Sequence, residues 1–419
     1  MFETARAAVS TSPSAQAPQE RLRVALVSGN YNYIMDGAAR AQNMLVAHLI
    51  KRGHEVLVFA PTLPEPAFQH AGTVIAVPSV ALPGKRGEYR LGLGLGRAAR
   101  ARLDAFRPDL IHIATPDYTA ITALRHARRR GIPAVASFHT RFDTYARYYG
   151  FAWAERYLTH YMRWLYARCV HVYPPTPSMI EELRRAGIGR ELRLWGRGVD
   201  HALFSPERRD MAWRRSLGFA DGDVVVAFVG RLVLEKGIDV FAEALRLAAA
   251  RNPAVRALVV GEGPEHSRFG TQLPGGVFIG HQSGEALARA YASADLFFSP
   301  SVTETAGNVV LEAMAAGLAC LGADVPGTRS FVRHGETGVL SPPEAGAEGF
   351  ALALLRLAED AGLRARMGAA GRDRTLSEHQ WPVVLDEVIA HYREAIGTTR
   401  HAADGTGGRA IVPSILTSR

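Results

Sequence analysis

Apolar segments that each end at a glycine or proline recur through the second half of this chain, and segments of helical character separate them. These segments are Val224–Val229 before Gly230, Ala257–Val260 before Gly261, Val277–Ile279 before Gly280, and Leu296–Ser299 before Pro300. Short runs rich in valine, leucine and phenylalanine predict buried strands. Their alternation with helices at this spacing predicts a parallel sheet covered by helices.

The first half of the chain has the same strand and helix pattern. The predicted strands are Leu22–Ser28, Gly53–Ala60, Pro108–Ala114 and Pro133–His139, with a helix that ends near Arg52. This opening is Rossmann-like, but it lacks the GxGxxG pattern, so it does not indicate a dinucleotide. A length of 419 residues exceeds what one core usually serves, which predicts two domains.

Composition and the pattern of elements predict the domain boundaries. The predicted segments are a disordered leader over 1–20, a first domain over 21–196, a linker over 197–206, a second domain over 207–371, helices that cross back over 372–396, and a flexible tail over 397–419. The leader has no apolar core segment, so it does not resemble a secretory signal. No uninterrupted apolar stretch reaches the roughly 20 residues that a membrane helix needs.

Two glutamates eight positions apart, Glu304 and Glu312, are the most informative pair of side chains. Glu304 lies where a loop turns into a helix, and Glu312 follows about two helical turns later. Gly307 lets the backbone approach a ligand closely, and the first amide groups of the helix offer donors. This set suits a phosphorylated, polyhydroxylated ligand such as a nucleotide sugar. The alternative is an ordinary helix start, where acidic residues are favoured in any case.

A basic pair, Arg231 and Lys236, follows Gly230 at the end of a predicted strand. Loops after the strands of open α/β sheets are where ligands bind. A guanidinium and an ammonium group together suit a diphosphate. The alternative is a solvated pair of cations on a turn. The order of strand, cations, helix and glutamate pair favours the diphosphate site.

This constellation resembles the retaining nucleotide-sugar glycosyltransferases of family 4, which have the GT-B fold, and the resemblance covers most of residues 21–395. The bacterial α-mannosyltransferases and the sulfoquinovosyl diacylglycerol synthases are the most similar members. Further motifs that carry the resemblance are Leu192–Asp200 with Phe204–Pro206, and Ser137–Thr140 with Tyr148–Gly150. The expected fold class is therefore α/β, with two Rossmann-like domains that face each other across a cleft.

The resemblance implies roles for individual residues. Glu312 would bind the ribose hydroxyls and Glu304 a sugar hydroxyl, while Arg231 and Lys236 would stabilise the leaving diphosphate. His139 would face the transferred sugar from the first domain, whereas a lone histidine at a strand end is more often structural. The remaining donor contacts would come from glycine loops and helix amides, at Asp36, Gly37, Gly230, Gly261, Ala306, Gly307 and Asn308.

Two of these positions depart from the family pattern. Ala306 replaces the usual aromatic residue, which would leave the sugar pocket roomier or differently filled. Asp36 replaces one of two glycines, so the loop would approach the diphosphate less closely, or Asp36 would contact the acceptor.

No metal or cofactor is expected in addition to the donor substrate. Asp221-Gly222-Asp223 imitates a metal-binding DxD, but it precedes a buried strand, where turn residues are common. The two cysteines, Cys169 and Cys320, indicate neither a disulfide framework nor a metal site and favour a reducing compartment.

The positive charge is concentrated in the first half. Residues 1–200 contain 27 basic and 15 acidic side chains, whereas the remainder contains 22 and 25. Arginine provides nearly all of this excess, which a GC-rich genome would also explain. The functional interpretation is that the first half binds an anionic membrane surface. Two arginine-rich segments support it, Lys85–Arg107 and Arg141–Arg168, and the second also contains many aromatic side chains. Nucleic acid is not expected as a partner, and the pattern carries no information on oligomeric state.

The predicted function is a metal-independent, retaining hexosyltransferase that uses GDP-mannose or a UDP-hexose. Its expected acceptor is a membrane glycolipid or lipid-linked glycan. The protein is expected in the cytoplasm, bound peripherally at the inner face of the plasma membrane. The alternatives are a soluble or polysaccharide acceptor, and a nucleotide-sugar epimerase on the same fold. A non-catalytic basic binding protein is a third, and the presence of both glutamates and both cations argues against it.

Overall fold

A computed structural model describes residues 20–34, 37–81, 89–138, 155–303 and 307–403 of the chain. The strands of the first half are β1 (Arg23–Val27), β2 (Glu55–Ala60), β3 (Thr73–Ala76), β4 (Ser79–Ala81), β5 (Arg90–Gly92), β6 (Leu110–Ile113), β7 (Ala134–Ser137) and β8 (Val172–Tyr173). Its helices are α1 (Gly37–Lys51), α2 (Arg97–Phe106), α3 (Tyr118–Arg130), α4 (Glu155–Tyr166) and α5 (Pro177–Ala186).

The second half repeats the pattern. Its strands are β9 (Val224–Val229), β10 (Val255–Val260), β11 (Val277–Phe278), β12 (Leu296–Ser299), β13 (Ala319–Ala323) and β14 (Gly338–Ser341). Its helices are α6 (Met211–Ser216), α7 (Ile238–Arg251), α8 (His266–Gln272), α9 (Gly284–Ala292), α10 (Asn308–Ala315), α11 (Pro326–Arg329), α12 (Gly346–Glu359) and α13 (Ala361–Glu378). A long helix, α14 (Trp381–Ala403), ends the described chain.

Each half forms its own parallel sheet with the same strand order. The first sheet runs β3-β2-β1-β6-β7-β8, and the second runs β11-β10-β9-β12-β13-β14. In both sheets the chain moves outward in one direction and then returns past the first strand to continue on the other side. This is the doubly wound Rossmann order. The two-domain Rossmann-like architecture predicted from the sequence is therefore confirmed.

Apolar side chains cover both faces of each sheet, as a parallel sheet requires. In the second domain, one core layer lies around Phe241 and Leu354, and the other lies around Leu311 and Tyr291. The first domain is also covered on both faces, but one of its layers is completed by Val388 and other residues of α14.

Local capping interactions explain where several helices begin. Asp117 accepts a hydrogen bond from the Ala120 amide at 3.0 Å and thereby caps α3. Thr176 accepts one from the Met179 amide at 3.2 Å, and Pro177 fills the first position of α5. Asp360 caps α13 through the Leu363 amide at 2.7 Å.

The carboxyl edges of the two sheets face each other. The β1 strand leads into the start of α1, and β12 leads into the start of α10. A methyl group built on Gly37 would lie 3.3 Å from the side-chain Nδ2 of Asn308, so the first residues of these two helices are neighbours. A cleft between the domains follows from this arrangement.

The chain crosses back to the first domain later than the predicted boundary at 372. The whole of α13 stays with the second domain, because Gly368 allows close contact with the Gly317 backbone. The crossing occurs between Glu378 and Trp381, beside a bridge that joins Val199 to Gln380. Residues 397–403, predicted as tail, continue α14, while the leader at 1–19 and the tail from 404 lie outside the described residues.

Two further findings concern membranes and thiols. In the described ranges, no helix has both the length and the apolar character that a bilayer crossing requires. Cys169 and Cys320 are both buried free thiols, and burial raises the pKa of each to about 12.

A buried histidine joins α14 to the first sheet. His112 of β6 is fully buried, and its Nδ1 is hydrogen-bonded to the Tyr392 hydroxyl. Its ring also contacts Tyr173 and Trp195, with centroid distances of 5.9 and 5.6 Å. Burial lowers the pKa of His112 to about 3, so the imidazole is neutral in the folded protein.

We expect the free energy of unfolding to fall as the pH drops below 6.5, because the unfolded chain then binds protons that folded His112 excludes. One such group lowers it by at most about 1.4 kcal/mol for each pH unit, down to the folded pKa. Urea unfolding between pH 4 and 8 measures this dependence. The His112→Asn variant should be less stable at pH 8 and should lose part of the acid dependence. An identical acid dependence in both proteins would contradict this role for His112.

Candidate functional site

The second sheet places two predicted site segments at one point. The β9 and β12 strands are neighbours in the sheet, with Leu296 beside Val226, although β10 follows β9 in the chain. Connections therefore leave these two strands in opposite directions and open a crevice at their carboxyl ends. Crevices of this kind are where open α/β sheets bind ligands. The Gly230–Gly237 turn follows β9, and the segment that leads to Glu312 follows β12.

Glycines form a close backbone contact on one side of this crevice. Gly230 has φ 151°, and Gly261, after β10, has φ 141°. A methyl group built on Gly261 would lie 1.9 Å from the Gly230 carbonyl oxygen. The Gly261 amide also donates to the Gly280 carbonyl at 2.8 Å, which connects three successive strand ends. Bare backbone therefore borders the crevice at both predicted glycines.

The two predicted cations lie on a short 3₁₀ turn and the loop before it. Arg231 is exposed, and among the described residues its guanidinium has no ion-pair partner. Lys236 is half-buried and ends the turn Leu234–Lys236. Gly237 then takes φ 73°, a left-handed conformation that lets the chain enter α7 at once.

Hydrogen bonds hold the turn against the segment that follows β12. The Ser301 and Thr303 hydroxyls donate to the Glu235 carbonyl oxygen at 3.3 and 3.2 Å. A methyl group on Gly237 would lie 3.2 Å from the Pro300 carbonyl oxygen, so the two backbones also touch. The structure thus brings Arg231 and Lys236 to the chain that continues into Glu304. Glu304 and Ala306 themselves lie outside the described residues.

Gly307 begins the helix that carries the second glutamate. It has φ 62°, and a methyl group there would lie 2.1 Å from the ring of Phe331. The cap position of α10 is Gly307 itself, which has no side chain to accept a hydrogen bond, and the first residue of the helix is Asn308. The first amide groups of a helix have no carbonyl acceptors within it. Together with the positive end of the helix dipole, they can bind an anion or hydroxyl groups.

Glu312 is a buried carboxylate on the second turn of α10, with only 9% of the residue exposed. Tyr291 of α9 donates its hydroxyl to Oε2 at 3.2 Å. Nη1 of Arg40, on α1 of the other domain, lies 3.8 Å from Oε1. Burial raises the pKa of Glu312 to about 7, although Arg40 and the Tyr291 hydrogen bond both act to lower it.

The first domain has an equivalent crevice between β1 and β6. The Gly29 amide donates to Thr115 Oγ1 at 2.5 Å, which joins the loops that follow these strands. Asp117 lies beside them, and burial raises its pKa to about 6. Gly37 lies against Asn308 of the second domain, whereas Asp36 and His139 lie outside the described residues.

The acidic motif before β9 has a structural explanation. Asp221 forms two hydrogen bonds of 2.8 Å with Arg215, and Asp223 accepts from the Ala220 amide at 2.8 Å. Within the described part of the chain, no group of three or more His, Cys, Asp or Glu side chains is arranged to hold a metal ion.

Sequence reasoning missed three residues at this site. Arg40, Tyr291 and Phe331 come from segments far from the glutamate pair, and each is an ordinary residue of an amphipathic helix or a loop. Of the three, only Arg40 could have been noticed in the sequence. It is a cation in the first turn of a helix, where the positive end of the helix dipole disfavours it.

Two family models match the two halves of the chain. The family model "Glycosyltransferase Family 4" matches residues 35–203, and "Glycosyl transferases group 1" matches residues 210–374. A GDP-mannose-dependent alpha-mannosyltransferase from Mycolicibacterium smegmatis is 37% identical over 381 residues, which are 90% of this chain and 98% of the relative.

Two further relatives and one solved structure extend the comparison. Sulfoquinovosyl transferase from Arabidopsis thaliana is 29% identical, over 90% of this chain and 74% of the relative. Phosphatidyl-myo-inositol mannosyltransferase from Mycobacterium tuberculosis is 27% identical, over 88% and 96%. Sucrose-phosphate synthase from Thermosynechococcus elongatus superposes with a TM-score of 0.74 at 21% identity, covering 90% of this chain and all of that one, which shows the same fold.

We expect Gly261→Ala to lower the free energy of unfolding by at least about 2 kcal/mol, because its methyl group overlaps the Gly230 carbonyl and its φ becomes strained. Urea unfolding measures this change. Gly222→Ala is the matched control, since a methyl group there meets nothing within 4 Å. Equal stability of the two variants would contradict the close contact between the glycine loops.

Proposed function

The chain belongs to glycosyltransferase family 4 and is a hexosyltransferase, and from that premise we propose that it transfers mannose from GDP-mannose to a lipid-linked hydroxyl group. The single observation that carries the proposal is the pair of hydrogen bonds from Ser301 and Thr303 to Glu235. They hold the turn that carries Lys236 against the segment after β12, which supports a donor site at this crevice. The matching relatives are transferases, which does not favour the epimerase alternative.

The donor nucleotide would lie on the second domain. Glu312 would accept hydrogen bonds from the ribose hydroxyls, and the glycine loops at Gly230 and Gly261 would let the nucleotide approach the backbone. Amide groups at Ala306, Gly307 and Asn308 would hold the sugar and diphosphate, and Glu304 would bind a sugar hydroxyl. GDP is the proposed nucleotide because the relative with 37% identity is named for GDP-mannose.

Arg231 and Lys236 would stabilise the transition state. Negative charge grows on the diphosphate as the sugar leaves, and preorganised cations act most strongly on charge that develops during the reaction. The acceptor hydroxyl would attack the face from which the diphosphate departs, through an oxocarbenium-like state, and the configuration would be retained. A departing phosphate oxygen would take the acceptor proton, and no metal ion would be required.

We expect GDP-mannose, rather than UDP-glucose or ADP-glucose, to support transfer of radiolabelled sugar to vesicles of bacterial polar lipid. The product should be α-linked, and turnover should persist in EDTA because the proposed clamp consists of protein cations. Organic extraction of the label and an NMR coupling measurement test these points. A β-linked product would contradict retention, and loss of activity in EDTA that Mg²⁺ restores would contradict metal independence.

The same assay tests the clamp. Arg231→Ala and Lys236→Ala should each lower turnover roughly 100- to 1000-fold, the usual loss when one group that stabilises transition-state charge is removed. Arg246→Ala, in the same domain, removes an exposed cation paired with Glu243 and serves as the control. Near-full activity in either clamp variant would remove that residue from the site.

The acceptor side of the first domain has a surface that suits an anionic membrane. Tyr157 and Trp164 of α4 are 59% and 37% exposed. The Arg168 guanidinium lies 4.1 Å from the centre of the Trp164 ring. Burial lowers the pKa of Arg168, and the nearby charges of Arg128 and Arg190 lower it further, so these three cations form one cluster. Exposed aromatics beside clustered cations are typical of proteins that bind at the headgroup level.

We therefore propose a peripheral protein at the inner face of the plasma membrane. A relative named for phosphatidyl-myo-inositol supports a lipid acceptor over a soluble or polysaccharide one.

Vesicle cosedimentation tests this surface. Binding should rise with the fraction of phosphatidylglycerol and fall with added salt, because salt screens surface charge. The double variant Arg128→Gln/Arg168→Gln should bind more weakly, since each basic residue contributes about 1 kcal/mol near an anionic surface. The double variant Arg246→Gln/Arg251→Gln, which also removes two exposed positive charges from the second domain, is the charge-matched control. Absence of binding at low salt to strongly anionic vesicles would favour a soluble acceptor.

A further inference from the structure

Helices from both domains meet at Glu312. Arg40 lies in the first turn of α1, and its guanidinium Nη1 is 3.8 Å from Glu312 Oε1. The Arg40 side chain is 51% exposed, whereas that of Glu312 is 11% exposed. The pair therefore joins a cation at the cleft surface to a carboxylate that is largely withdrawn from water.

The contacts of Glu312 differ according to the domain they come from. From its own domain, α9 contributes the Tyr291 hydroxyl, which is neutral. Arg372 of α13 is directed instead at the carbonyl oxygens of Ala315 and Phe204. Among the described residues, Arg40 of the other domain is the ion-pair partner of this carboxylate.

Burial makes a carboxyl group harder to ionise, and a nearby cation opposes this effect. For Glu312 burial is the larger influence and leaves its pKa at about 7, with Arg40 first among the groups that lower it. A protonated carboxyl group offers fewer acceptor sites than a carboxylate. The ability of Glu312 to accept hydrogen bonds at neutral pH therefore depends on a residue from the opposite domain.

We propose that Arg40 is a positioning residue for the donor nucleotide: its guanidinium reaches across the cleft to Glu312 and holds that carboxylate ready to accept from both ribose hydroxyls. The inference rests on the donor site proposed above. It couples ribose recognition to the approach of the two domains, because separation of α1 from α10 would take Arg40 away from Glu312. In the arrangement observed, Gly37 at the start of α1 lies beside the Asn308 side chain at the start of α10.

The test measures GDP affinity by calorimetry from pH 6.5 to 9 in four proteins: the parent, Arg40→Gln, Arg40→Lys and Lys51→Gln. At pH 7, Arg40→Gln should bind GDP roughly five-fold more weakly than the parent. If the substitution lowers the acid ionisation constant of Glu312 tenfold, the ionised fraction of Glu312 at pH 7 falls by about this factor. The loss should shrink at pH 9, where Glu312 ionises without help. Arg40→Lys should bind nearly as the parent does at every pH.

Lys51→Gln controls for the loss of a positive charge. Lys51 is an exposed residue at the far end of the same helix, about 16 Å from Arg40 at 1.5 Å per residue. Its replacement should leave GDP affinity unchanged. A second control is 2′,3′-dideoxy-GDP, which lacks the ribose hydroxyls and should be indifferent to Arg40→Gln. Melting curves would show that each variant is folded.

The Glu312→Gln variant separates failure of the inference from failure of the donor site. If Glu312→Gln weakens GDP binding and Arg40→Gln leaves it unchanged or tightens it, Arg40 has no such role. If Glu312→Gln has no effect on GDP affinity, the donor site itself is misplaced. Support requires that Arg40→Gln add nothing to the loss already caused by Glu312→Gln, because both changes would act on the same carboxylate.

Discussion

The pairing of β9 with β12 determines where the rest of the candidate site lies. These strands are separated by two other strands in the chain, yet they are neighbours in the sheet, so their connections diverge and leave a crevice between them. The turn that carries Arg231 and Lys236 closes one side, and the segment before α10 closes the other. The Ser301 and Thr303 hydroxyls then join both sides to the Glu235 carbonyl oxygen. Without this strand order, the turn after β9 and the segment after β12 would not lie side by side.

The close approach of backbone to backbone is the second requirement of the site. Gly230, Gly261 and Gly307 each have positive φ, and Gly261 and Gly307 would each place a methyl group within about 2 Å of a neighbour. Gly261 thereby lets its backbone lie against the Gly230 carbonyl, and Gly307 lets the start of α10 lie against the Phe331 ring. They also leave amide groups and helix ends as the polar surface, which suits an anionic ligand without requiring many charged side chains.

The two domains do not act as independent halves. Helix α14 completes a core layer of the first domain, and the His112–Tyr392 hydrogen bond lies at the centre of that contact. On the cleft side, Arg40 reaches across to Glu312. The contact of α14 with the first domain is mainly apolar and deeply buried, whereas the contact between Arg40 and Glu312 is a single ion pair at the cleft surface. This difference is consistent with a rigid attachment behind the cleft and an adjustable one within it, since an exposed cation is easily rehydrated.

The sequence by itself determined the α/β class, the two parallel sheets and the residue types at the donor crevice, because strand hydrophobicity, glycine positions and motif spacing are local properties. It also indicated Arg231, Lys236 and Glu312 as one group through family resemblance. It did not locate the crossing between Glu378 and Trp381, because tertiary contacts keep helix α13 with the second domain: Gly368 fits against Gly317, and Arg374 donates to the Phe331 carbonyl oxygen. Nor did it predict Tyr291 and Arg40 beside Glu312. The Tyr291 contact arises from the packing of α9 on α10 within the second domain, and the Arg40 contact from the packing of the two domains, so tertiary structure decides the environment in which that carboxylate ionises.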